Sequence, residues 1–182
     1  MFQISRTTPA YYLTSVTNSR LPIFQTEKLA QITCDALDEA RRSAGLMIFA
    51  YVLMFDHIHL ITDSSRSIAD TLRFTNRLFA RRIINCLKEN NYDESLLKLR
   101  IQMRDRQHKH AVFQHHPNAF EIYGEDTMMQ KVNYVHLNPV RAGLVEHPND
   151  FRFSSARQWN GKAEENEPLL TDDRQIRWRT AA

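Results

Sequence analysis

The fold predicted from the sequence is an α+β ferredoxin-like sandwich: an antiparallel sheet with helices on one face, followed by a C-terminal extension. Three observations predict it. Apolar residues switch between the two-residue period of strands and the 3.6-residue period of helices in the order β-α-β-β-α-β, with one more helix behind. The strand candidates are dense in β-branched and aromatic residues. The chain has 182 residues, 42% of them hydrophobic, enough for one ordinary domain with a real core.

The elements follow in order. Ala10 to Thr17 reads as the first strand, and Asn18 to Pro22 as a loop. From Glu27 to Ser43, Leu29, Ile32, Ala36, Leu37 and Ala40 recur at helical spacing, and Gly45 stops that helix. Met47 to Met54 is a buried strand by its apolar density; Phe55-Asp56 turns the chain into a third strand, His57 to Asp63. The serines of 64–67 offer N-caps for a long helix, Ile68 to Leu87, with Leu72, Leu78, Phe79, Ile83 and Leu87 as its apolar face. Asn90 to Ser95 interrupts it, and 96–112 is basic with only partial periodicity. Phe113 to Tyr123 is the fourth strand region, bent at His116-Pro117-Asn118. Thr127 and Gln130 have the spacing of a capping box, so a last helix is expected from about Met128 to Asn138, with Pro139 ending it. The expected division is a ferredoxin-like domain over 1–145 and a C-terminal extension over 146–182, partly flexible and in contact with nucleic acid.

Bulk properties narrow the class. Lys and Arg number 24 against 21 Asp and Glu, a net +3, mildly basic and compatible with a nucleic-acid partner without requiring one. Cys34 and Cys86 have neither metal-type nor disulfide-scaffold spacing and read as reduced core residues. The N-terminus lacks the basic start and apolar run of a signal peptide. The longest apolar run, Leu46 to Phe55, falls short of the roughly 20 residues that span a bilayer. A soluble, cytoplasmic protein with no membrane partner is expected.

Chemistry concentrates at two places. On the third strand His57, His59, Ile61 and Asp63 share one face, while Ile58, Leu60 and Thr62 share the other, which is apolar enough to be the core face. Two imidazoles pointing the same way from a strand can grip one divalent cation and leave positions open for phosphate oxygens and water. Taken alone, His-x-His is more often a pair of surface or hydrogen-bonded histidines. Far downstream, Lys131, Tyr134 and Asn138 fall at i, i+3 and i+7, one polar stripe of the last helix. Met128, Val132 and Val135 lie on another side and can pack on the sheet. If the stripe faces His57 and His59, Asn138 offers a third ligand and Tyr134 a nucleophile, with Lys131 as a nearby cation. Most tyrosines nevertheless serve in packing, and spacing alone favours that reading here.

The segments Tyr51-Val-Leu-Met-Phe-Asp-His-Ile-His-Leu-Ile61 and Tyr134-Val-His-Leu-Asn-Pro-Val-Arg-Ala-Gly-Leu-Val145 resemble the two signatures of the REP-associated tyrosine transposases, within the wider class of His-hydrophobic-His (HUH) single-strand endonucleases. Phe151-Arg-Phe-Ser-Ser155 resembles the aromatic-Ser-Ser segment that follows in that family, and the likeness runs with gaps from about Tyr11 to Ala156. The resemblance implies a ferredoxin-like core, Mg²⁺ or Mn²⁺, and cleavage of single-stranded DNA at or near hairpins such as repeated extragenic palindromes. It implies His57 and His59 as metal ligands, Tyr134 as the nucleophile, Asn138 at the position of a polar third ligand, and a 5′-phosphotyrosine intermediate that allows strands to be rejoined. Relatives usually carry Pro-Asn or a similar pair before the first histidine; here it is Phe55-Asp56, where Asp56 is expected to tighten the turn or add negative charge near the metal.

Basic residues suggest where DNA would lie. Arg73, Arg77 and Arg81 form a line along the long helix with Arg82 beside it, suited to a phosphate backbone or, equally, to a solvated helix face. Arg100, Arg104, Arg106 and Lys109 form a second cluster. Arg141, in the second signature, joins Lys131 as a DNA contact, and Arg152, Phe153, Arg157 and the tail from Arg174 to Arg179 are weaker candidates. Two other readings stay open: a phosphoesterase that uses water and a metal, and a weakly active or inactive nucleic-acid-binding module of the same fold. Monomer and homodimer are equally compatible with the sequence.

Overall fold

The computed structural model describes residues 1–100, 110–115 and 117–178. Strands β1 (Ala10–Val16), β2 (Ile48–Leu53), β3 (His57–Thr62) and β4 (Asn118–Ile122) form one antiparallel sheet in the order β2-β3-β1-β4. That is the ferredoxin-like order, with the first and third strands central. Helices α1 (Glu27–Ala44) and α2 (Ile68–Glu89) link the strands across one face, and α4 (Glu125–Arg141) follows β4. Short helices α3 (Asp93–Lys98) and α5 (Ala156–Trp159) complete the set; α3 stands where the sequence suggested only an interruption.

Alternation along the strands builds two cores. Leu13, Tyr51, Leu53, Ile58 and Leu60 point to α1 and α2, where the predicted residues Leu72, Leu78, Phe79, Ile83 and Leu87 are all buried. On α1 the buried stripe is rotated toward Ala30, Thr33 and Cys34, leaving Ile32 half-buried. Tyr12, Phe49, Val52 and Ile61 point the other way and are covered by Met128, Val132 and Val135 of α4. The sheet is therefore covered on both faces rather than on one, because the histidine-bearing face carries its own apolar residues. Cys34 and Cys86 are both buried free thiols.

Two expectations for α4 give way. Its N-cap is Gly124, with no side-chain cap, so Thr127 lies inside the helix and the capping box does not form. Pro139 does not end the helix, which runs on to Arg141. Gly143, at φ +68, is the stop: its N–H donates to the Val140 carbonyl and that of Leu144 to the Pro139 carbonyl, the paired bonds of a Schellman motif.

Residues 146–178 run back to the sheet and pair with it along β2. Leu53 N–H donates to the Phe153 carbonyl and Ser155 N–H to the Tyr51 carbonyl, so 153–155 lies along the outer edge of β2. The Asp172 carboxylate accepts from the Ile48 N–H and pairs with Arg41 at 3.0 Å. Phe2 bridges to Ile176. Among the described residues no helix is long and apolar enough to cross a membrane.

Candidate active site

Register places the histidines. β3 pairs with β1 so that His59 faces Thr14, and Ile61 faces Tyr12. On β1's far side Thr14 meets Asn118 and Tyr12 meets Phe120. Val52, His59, Thr14 and Asn118 thus form one row across the sheet on the face that α4 covers. α4 lays its polar stripe against this row while Met128, Val132 and Val135 anchor it in the adjoining core.

The predicted pair and the predicted tyrosine converge. The His57 and His59 ring centroids are 4.8 Å apart, and that of Tyr134 is 5.6 Å from His59 and 6.1 Å from Tyr12. Tyr134 is 38% exposed, so its ring edges the cluster without being sealed in it. Asn138 donates from Nδ2 to the Tyr134 carbonyl at 2.8 Å, and its amide lies close enough to His59 to act on its titration. The Lys131 Nζ lies 5.9 Å from the Tyr134 ring centroid, 5.1 Å from that of Tyr12 and 4.9 Å from that of Phe120. The Arg141 guanidinium lies 5.1 Å from the Tyr134 ring. Of the ten predicted residues, His59, Lys131, Asn138 and Arg141 thereby flank Tyr134 from the sheet and from its own helix, with His57 beside His59.

Each imidazole is held through Nδ1. The Asp56 carboxylate is 2.6 Å from His57 Nδ1. Its other oxygen takes a hydrogen bond from Arg20 at 3.0 Å. Burial raises the Asp56 pKa, but the bonds from His57 and Arg20 outweigh it and leave the carboxyl below its ordinary range. His59 Nδ1 lies 2.7 Å from the Tyr12 hydroxyl and 2.9 Å from Thr14 Oγ1. Burial, then the neighbouring His57, pushes the His59 pKa down to about 3, with Lys131 acting in the same sense and the Asn138 amide against it. His59 is therefore neutral at physiological pH, the form in which imidazole ligates metals. Burial pushes Tyr12 up to about 12, so its phenol stays protonated.

The donor set fits a divalent cation. A metal-binding histidine usually fixes its second ring nitrogen on a polar partner, and both imidazoles have one at Nδ1, which leaves Nε2 of each clear of those contacts. Among the described residues no three His, Cys, Asp or Glu side chains are grouped to hold a metal. The candidate set is two imidazoles and the Asn138 amide, an incomplete shell that leaves room for water and phosphate oxygens.

The arginine line lies elsewhere. α2 covers the sheet face opposite the histidines, so Arg73, Arg77 and Arg81 are not brought to the Tyr134 cluster. Arg73 pairs with Asp70, and Arg81 and Arg82 both reach Glu39 of α1. Arg73, Asn76 and Arg77 line a groove of about 780 Å³ closed on its other side by Phe113, His115, Pro117 and Ala119. Arg104, Arg106, Lys109 and Arg179 lie outside the described residues. Tyr12, Thr14 and Phe120 belong to the cluster and were not singled out from the sequence. Only the β1–β3 and β1–β4 registers bring them there.

No protein-family model and no curated protein matches the chain. Solved structures do. A REP-associated tyrosine transposase bound to a REP hairpin superposes with a TM-score of 0.62 at 16% identity, covering 91% of this chain and 87% of that one. A candidate transposase of Deinococcus radiodurans gives 0.48 at 19% identity, covering 70% of this chain and 88% of the other. The chain has the fold of a REP-associated tyrosine transposase.

Proposed function

We propose that the protein is a metal-dependent transposase of the REP-associated tyrosine type, a cytoplasmic single-stranded DNA endonuclease and strand transferase acting at hairpin-forming repeats. One observation carries this reading: Tyr134, far along the chain from His57 and His59, meets them, with ring centroids 4.8 Å (His57–His59) and 5.6 Å (His59–Tyr134) apart and the Tyr134 ring 38% exposed. The hairpin in the superposed transposase supports hairpin DNA as the partner.

Tyr134 is the nucleophile. Its oxygen bonds to phosphorus as the phosphorus–O3′ bond breaks; the phenol gives up its proton and the leaving 3′ oxygen takes one up. The products are a 5′-phosphotyrosine link and a free 3′-hydroxyl, and attack by such a hydroxyl on the link rejoins strands without ATP. His57, His59 and Asn138 would hold Mg²⁺ or Mn²⁺, which when bound would supply Lewis-acid polarisation of the phosphate. Lys131 and Arg141, beside the ring, place positive charge where phosphate must sit. Tyr12 does not compete as nucleophile, being 6% exposed with its hydroxyl on His59. A phosphoesterase relying on water would keep its activity without Tyr134. The test is to incubate labelled single-stranded hairpin oligonucleotides with the protein and Mn²⁺. A denaturation-resistant adduct forms with wild type and is absent with Tyr134→Phe, which still binds DNA; an adduct surviving that substitution refutes the assignment.

A further inference from the structure

We infer that Asp56, steadied by Arg20, is the positioning residue that locks the His57 ring with its proton on Nδ1 and leaves Nε2 bare for a divalent cation. The inference rests on the metal-site reading above and goes beyond it, because Asp56 is the point where this chain departs from the Pro-Asn pair of the proteins it resembles.

Three independent contacts fix Asp56. Its backbone carbonyl accepts from both the N–H and the Oγ1 hydroxyl of Thr17, each at 2.9 Å, which ties the β2–β3 turn to the end of β1. One carboxylate oxygen faces His57 Nδ1 at 2.6 Å. The other takes the Arg20 guanidinium at 3.0 Å. Because the backbone is held by Thr17, the side chain is free to serve the imidazole.

Arg20 reaches Asp56 from an unusual backbone. Ser19 and Arg20 both have φ of +53, two successive non-glycine residues in the left-handed region that L side chains seldom adopt. The guanidinium is 66% exposed, so it contributes little to stability as a surface pair. What it does supply is charge balance: it offsets the carboxylate, so that the Asp56–Arg20 pair adds no net charge beside the cation.

A carboxylate partner differs in kind from the hydroxyls on His59. It can only accept from Nδ1–H, which forces the tautomer, and its charge makes the opposite nitrogen a stronger donor. The Tyr12 and Thr14 hydroxyls can donate or accept, so they orient His59 without dictating its proton. The site thus has one imidazole preset for metal and one that can adapt.

The experiment uses long-range ¹H–¹⁵N NMR of the metal-free full chain, with Mn²⁺ affinity measured in parallel by EPR titration. In wild type His57 shows a protonated Nδ1 and a bare Nε2. Asp56→Ala, which leaves the backbone contacts with Thr17 in place, gives a mixture of tautomers and binds Mn²⁺ about 10–100-fold more weakly. Asp56→Asn restores the tautomer, since its amide oxygen still accepts, but only part of the affinity. An unchanged His57 tautomer in Asp56→Ala, or a wild-type ring carrying its proton on Nε2, overturns the inference while leaving the metal site standing. Wild type that binds no Mn²⁺ overturns the metal-site reading itself, and with it the use assigned to the lock.

Discussion

The imidazole of His136 and the hydroxyl of Ser155 meet at 2.9 Å, Nε2 to Oγ, and that one bond fastens α4 to the segment edging β2. The same hydroxyl oxygen accepts from the Tyr51 N–H at 2.9 Å. Both side chains are buried, 6% and 2% exposed. Ser155 in Phe151-Arg-Phe-Ser-Ser155 thus has a structural role: it helps hold the helix that carries Tyr134 and Asn138 at its distance from the sheet.

Ser155→Ala leaves both the Tyr51 N–H and His136 Nε2 without a partner in the interior. A buried polar group left unsatisfied costs about 1–3 kcal/mol, so the variant unfolds at lower urea concentration with an unchanged m-value. Wild-type stability in Ser155→Ala would remove this bond from the forces that place α4.

The same histidine predicts an acid limb. Burial lowers the His136 pKa from 6.5 to about 4, so between those values the unfolded chain binds a proton that the folded one refuses. Stability from this group is fully present above 6.5 and drains away as pH falls toward 4. At 1.36 kcal/mol per pKa unit this amounts to roughly 3 kcal/mol. His136→Gln, whose amide can still meet Ser155, has a flatter stability profile than wild type over that window; an identical slope would show that His136 is not kept neutral by burial.

How far the sequence led is decided residue by residue. The β-α-β-β-α-β order was legible because its strands and helices have distinct periods and apolar faces. The end of α4 was not, because the helix carries Pro139 within its last turn and Gly143 supplies the stop two residues beyond the observed end. His57, His59, Tyr134 and Asn138 were legible from two short segments. Their partners Tyr12 and Thr14 were not, since strand register is a tertiary property that a lone strand does not encode. Helical spacing put Arg73, Arg77 and Arg81 in one line correctly but could not say which side of the sheet that line would occupy.

On the proposed function, that opposite placement would separate a DNA contact at Arg77 from the cleavage site. Arg77 lines the groove on the α1–α2 face, away from Tyr134. Arg77→Ala is expected to weaken binding of a hairpin and reduce the slope of log K against log salt by about 1, as the loss of one phosphate contact does. Adduct formation at saturating DNA stays unchanged. An unaltered salt slope would take DNA off that helix altogether, whereas lost cleavage at saturation would contradict the separation of the two faces.

Phe120 supplies the last expectation. It lies on the edge strand, 45% exposed, on the same sheet face as His59 and with Lys131 over its ring at 4.9 Å. An exposed ring beside a cation is a platform on which an unpaired base can stack, worth about 1–3 kcal/mol per base. Phe120→Ala is therefore expected to weaken binding of single-stranded oligonucleotides by roughly 10-fold or more, and Phe120→Trp to keep it. Because the ring makes no bond to either histidine or to Tyr134, saturating DNA restores the adduct in Phe120→Ala. Equal affinity of wild type and Phe120→Ala for single strands would mean that the strand enters past Arg141 instead, along the far side of Tyr134.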